Sequence, residues 1–206
     1  MHQCKKKKKV PKRSEAQKTN AKIKCGRIYR KYRNKDFIID DESNFTLSHS
    51  NINGNNIYYS NNDALTPTSV KIKTKSKYEE KVLVWICISV KGVSKPYIHR
   101  SKTAISQFTY LNECIIKRLI PFIDSNHSDH NYLFWPNLAS SHYSNMVVDY
   151  LNEKKVNYMP KIDNPANLPE VKVIEDFWNI LKGHVYKNNW QAQNIDQLQA
   201  RIIYCL

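Results

Sequence analysis

The chain has 206 residues, 41% hydrophobic and 25% charged, which suits one folded domain plus an appendage and excludes global disorder. Its longest apolar run, Val82 to Val90, is far too short to span a bilayer, and no apolar segment follows the N-terminal charges as a secretory signal requires; no membrane partner is expected. The net charge of +15 is concentrated: residues 1–35 hold 15 Lys/Arg and one acid, Glu15, whereas the remainder is nearly neutral, with 18 basic and 17 acidic residues.

A basic arm on a neutral domain is the electrostatic footprint of a polyanion binder, most often nucleic acid. The run Lys5, Lys6, Lys7, Lys8, Lys9, Lys12 and Arg13 cannot bury itself. It reads either as a nuclear localisation signal or as a tail that contacts DNA phosphates. Five scattered cysteines without a CxxC pair argue for reduced thiols in an intracellular compartment, not a disulfide framework or a zinc site.

Ser14 is an N-cap candidate, and Ser14 to Arg33 is expected to be helical, with Ala16, Ile23, Ile28 and Tyr32 as its sparse apolar positions. Phe37 to Asp41 and Asn44 to Leu47 read as strand segments, Asn51 to Asn56 as a loop, Ile57 to Tyr59 as a further strand and Lys71 to Lys81 as a polar connector. Val82 to Val90 suits a strand buried on both faces, followed by a turn at Lys91-Gly92 and an edge strand at Pro96 to His99. Ile105, Phe108, Ile115, Ile116 and Leu119 recur at helical spacing. Asn131 to Trp135 is a strand bounded by Pro136, Ser141 to Lys154 a helix, Val156 to Met159 a short strand and Lys161 to Pro169 a loop. Helices are expected at Val171 to Tyr186 and Asp196 to Leu206. Early antiparallel strands followed by alternating helices and strands predict an α/β fold, a mixed sheet with helices on both faces. The division is a basic arm and helix at 1–35 and a core at 36–206.

Three positions fall at the ends of core elements: Asp41 in IIDDESNF, Asn137 in YLFWPNLASSHYS and Glu175 in VIEDFWNILK. Glu175 lies about 100° off the apolar stripe of its helix. A carboxylate at such a margin points along the sheet edge, and carboxylates converging there can hold two Mg²⁺ for phosphoryl transfer. His127 and His130 have a metal-like spacing, but their Ser/Asp-rich surroundings read as a solvated loop.

Together the three segments resemble the catalytic segments of mariner-type DDE transposases (the Tc/mariner superfamily), with 95 residues between Asp41 and Asn137 and 37 between Asn137 and Glu175. VWICISVKGVSKPYI resembles the strand pair of that family, and the likeness runs from about Arg27 to about Trp190. It implies an RNase H-like core and DNA, as transposon ends, for a partner. It also implies strand cleavage and joining in transposition and integration with Mg²⁺ or Mn²⁺, and allows a homodimer. Carried over, Asp41, Asn137 and Glu175 occupy the catalytic and metal-ligand positions, with Asp40 as the alternative first ligand because neighbouring strand residues face opposite ways. His142 matches the histidine that positions the middle loop, or is simply a polar residue in a helix's first turn.

Asn137 stands where the family carries its second aspartate, and an amide offers one neutral oxygen where a carboxylate offers two charged ones. Asp124 and Asp129 precede the middle strand and belong at its opposite end. The expectation is a transposase-derived DNA-binding core with weakened metal binding and impaired catalysis. The alternative is a host-adopted, non-catalytic DNA-binding protein. An active nuclease would need a compensating acid.

Overall fold

The computed structural model describes residues 13–48, 60–61, 63–71, 80–100, 103–166, 168 and 172–206. The expectations for Lys5 to Lys12, for the loop at Asn51 to Asn56 and for the strand at Ile57 to Tyr59 lie outside these residues. Helix α1 spans Glu15–Tyr32. Ser14 accepts the Gln17 backbone N–H while the Gln17 side chain accepts the Ser14 N–H, a capping box that fixes where the helix begins. Only Ile28 of this helix is buried, against the sheet, and Ile23 is exposed.

Among the described residues five strands form one mixed sheet. These are β1 (Asp36–Thr46), β2 (Lys81–Ser89), β3 (Gly92–Val93), β4 (Tyr97–His99) and β5 (Tyr132–Trp135). The order is β3-β2-β1-β5, with β4 also on β2. β1 runs antiparallel to β2 and parallel to β5. It is one continuous strand where two segments are expected, because its two aspartates find hydrogen-bond donors and need not leave the sheet.

Alternation along β1 and β2 divides the core. Ile39, Phe45, Val84 and Ile86 face α4 (Ile174–Val185), α5 (Ile195–Cys205) and Ile28 of α1. Ile38, Trp85 and Cys87 face α2 (107–126) and α3 (Asn145–Glu153). Each face buries its own layer of side chains, so the sheet is sandwiched, as expected. Among the described residues no helix is long and apolar enough to cross a membrane.

Three elements depart from their expected form. The middle of α2, Tyr110–Leu119, is a π-helix, whose wider turn buries Tyr110, Cys114, Ile115 and Leu119 and leaves Phe108 in solvent. The helix expected from Ser141 is a 3₁₀ turn, Ser140–Tyr143, that breaks at Ser144 before α3. The strand expected at Val156 to Met159 makes only one parallel bridge, Tyr158 to Phe134.

Candidate functional site

β5 ends at Trp135, opposite Ile39 of β1. The next residue, Pro136, has no N–H with which to continue the ladder, so the chain leaves the sheet there. β1 runs on, and Asp40 and Asp41 stand beside the gap. The residue that enters it is Asn137. Its backbone N–H donates to Asp40 Oδ1 at 2.8 Å, and its side-chain Nδ2 donates to Asp41 Oδ1 at 2.6 Å. Its own Oδ1 accepts the Leu138 N–H at 2.6 Å. The opposite amide orientation would set an oxygen against a carboxylate and an NH₂ against an N–H, so the network selects this one.

The two aspartates differ as strand alternation demands. Asp40 is fully buried on the α2 side, where its Oδ2 accepts Trp85 Nε1 at 3.0 Å and the Tyr110 hydroxyl at 2.6 Å. Both of its oxygens accept protein donors, so as the alternative first ligand it would have to release them. Asp41 faces α4, where its Oδ2 accepts Trp178 Nε1 at 3.2 Å. Burial, reinforced by the charges of Glu42, Asp40 and Glu175, pushes the Asp41 carboxyl up to about 6.

Glu175 lies in the first turn of α4, one turn before Trp178, and is exposed. Its charge reaches Asp41, but it makes no hydrogen bond or ion pair with Asp41 or Asn137. Asp41 and Asn137 are thus in direct contact, with Glu175 at the rim on the same side of the sheet.

His142 is buried and lies flat on the Tyr110 ring, with centroids 3.8 Å apart. Its Nε2 is 2.9 Å from Glu42 Oε1 and its Nδ1 is 3.6 Å from Asp40 Oδ2. Burial alone would lower its pKa, yet the charges of Asp40, Glu42 and Asp41 outweigh burial and raise it. This histidine holds the 3₁₀ turn after Asn137 against β1.

Sequence reasoning missed several residues here. Glu42 was accessible to it, since it shares the Asp40 face by alternation. Tyr110 and Asn164 carried no signal. Buried Asn164 accepts Trp135 Nε1 at 2.7 Å and donates to the Pro136 carbonyl at 2.8 Å, clamping the segment that presents Asn137. His127 corrects an expectation: it is fully buried between Phe122 and Tyr132, with Nε2 2.9 Å from Ser89 Oγ, and is not in a solvated loop. Asp129 pairs with Lys91 beside Asp36, at the start of β1 and away from Asn137.

As a cation site the arrangement does not fit. Two N–H donors already occupy Asp41, and Asn137 turns its nitrogen toward it. Among the described residues no group of three His, Cys, Asp or Glu side chains is arranged to hold a metal ion.

No protein-family model and no curated protein matches the chain by sequence. Solved structures do match by shape. The Mos1 transposase paired-end complex with left transposon end superposes with a TM-score of 0.71 at 16% identity, covering 97% of this chain and 57% of that one. The Mos1 mariner paired-end complex with Mn gives 0.71 at 16% identity, covering 97% and 58%. The catalytic domain of Mos1 mariner transposase gives 0.55 at 15% identity, covering 95% and 90%. The chain therefore shares the fold of the Mos1 catalytic domain, and spans little more than half the length of the transposase chains in the two complexes.

Proposed function

We propose that this chain is a transposase-derived DNA-binding core whose strand-cleavage and joining chemistry is impaired by Asn137. The observation that carries the reading is the contact between Asn137 Nδ2 and Asp41 Oδ1 at 2.6 Å. At the position that the resemblance matches to a metal-ligand aspartate, an N–H donor satisfies the neighbouring carboxylate, which supports weakened Mg²⁺ or Mn²⁺ binding. The fold supports DNA as partner, because the superposed Mos1 complexes hold transposon ends. The basic arm from Lys5 to Arg13 is read as a phosphate grip and a nuclear address, which a fluorescent fusion of residues 1–35 would test.

The hydrogen bonds around Asp40 also favour a host-adopted, non-catalytic DNA-binding protein, since the site is well satisfied by protein donors alone. Both readings are tested together. Duplex binding by the full chain is expected, with no Mg²⁺-dependent nicking of supercoiled plasmid by the natural protein. Nicking by the natural protein at the rate of Asn137→Asp would overturn the impaired-catalysis reading, and absence of duplex binding would overturn the DNA-binding one.

A further inference from the structure

Helix α1 carries far more charge than its packing requires. It buries one residue, Ile28, and rests on the fold along Cys25, Ile28 and Tyr32, with Lys24 donating to the Asn164 carbonyl at 3.1 Å. The rest of its circumference faces solvent and is studded with cations. At three-residue steps Arg27, Arg30 and Arg33 form an inclined row on that exposed side, and Lys22 extends the exposed charge toward the N-terminus.

These four side chains have no acidic partner among the described residues. Several cations elsewhere are matched: Lys91 with Asp36 and Asp129, Arg100 with Asp196, and Lys117 and Arg118 with Glu113. On α1 the one acid, Glu15, is taken by Lys18; Lys31 interacts first with Tyr32 and only weakly with Asp163, a lone acid that lines one hollow with Arg27 and Arg30. Like charges three and four residues apart, as in Arg27, Arg30 and Lys31, repel and destabilise an isolated helix. A helix so built lowers its energy against a polyanion.

We infer that the exposed row of α1, through Lys22, Arg27, Arg30 and Arg33, grips the phosphate backbone of duplex DNA, a second contact surface separate from the N-terminal arm and from the candidate site at Asp41. The inference deepens the DNA-binding reading above and rests on it. From Lys22 to Arg33 the helix rises roughly 16 Å, about five base-pair steps of a duplex. Guanidinium forks match phosphate oxygens pairwise, which suits three arginines in a row. No base-reading role is assigned, because phosphate contacts set position and carry no sequence information. The grip is coupled to the candidate site: Lys24 holds Asn164, and Asn164 clamps Pro136, the residue before Asn137.

The test uses the full chain with random-sequence duplex as the probe. Lys22→Gln, Arg27→Gln, Arg30→Gln and Arg33→Gln are combined and binding is followed against salt. Each phosphate contact contributes about 0.9 to the log–log salt slope, so the slope should flatten by about three or more. Circular dichroism and melting should show an intact fold, because the substitutions relieve repulsion. A control that neutralises four cations off α1, Lys95, Lys117, Lys154 and Lys155, should flatten the slope by one unit at most. Equal losses in the two variants would reduce the effect to net charge and overturn the inference. So would an unchanged slope in the α1 variant, or a loss confined to vesicles containing phosphatidylserine. Failure of the natural chain to bind duplex at all would instead overturn the DNA-binding reading, and the inference with it.

Discussion

Asp40 Oδ1 accepts the backbone N–H of Asn137 at 2.8 Å, tying a fully buried carboxylate of β1 to the segment that follows the end of β5. Trp85 and Tyr110 donate to its other oxygen, so one side chain joins β1, β2, α2 and the Asn137 segment. Asp40→Ala would leave three buried donors without an acceptor, and a loss of about 3 kcal/mol or more is expected in urea unfolding. Tyr110→Phe removes a single donor and should cost about 1 kcal/mol. A loss below 1 kcal/mol for Asp40→Ala would mean the network contributes little.

Restoring a carboxylate at position 137 tests the site by stability. Asn137→Asp removes the amide donor to Asp41 and places a second charge beside a carboxyl already pushed up to about 6. Without divalent metal the variant should melt below the natural protein. With Mg²⁺ its melting temperature should climb with metal concentration, whereas the natural protein should respond weakly. Identical Mg²⁺ responses would show that position 137 is not a former ligand.

His127 supplies a pH signature far from the candidate site. Burial lowers its pKa from 6.5, and nearby Lys91 adds to the effect, opposed by Asp36 and Asp129. The unfolded chain then binds more protons between the lowered native value and 6.5. Stability should therefore be fully present above 6.5 and fall as pH drops from 6.5 through the native value. His127→Gln should flatten this part of the stability profile. An equally steep fall in the variant would assign it to other groups.

Deleting residues 1–13 should weaken binding to random duplexes and flatten its salt dependence, since counterion release scales with the phosphates neutralised. Unchanged affinity would leave the arm as a localisation signal alone.

Much of the scaffold was readable because strand and helix periodicities are local. The nine residues from Val82 to Val90, eight of them apolar, announce a strand buried on both faces, and the stripe from Ile174 to Val185 announces α4. Local rules failed where the repeat changed. The π turn at Tyr110–Leu119 shifts the buried positions and turns Phe108 outward, and no short-range pattern marks that shift.

By itself the sequence determined the α/β order, the strand that bears Asp40 and Asp41, the proline that ends β5 and the order of the three segments, since each depends on neighbours along the chain. Only the tertiary structure decided what those residues touch. Asn137 meets Asp41 across 96 positions, Trp178 reaches it across 137, and Asn164 holds Trp135 across 29. These partners belong to different elements brought together by sheet pairing and by burial of two apolar faces. A hydrogen bond between them therefore leaves no periodicity in the sequence from which it could have been read.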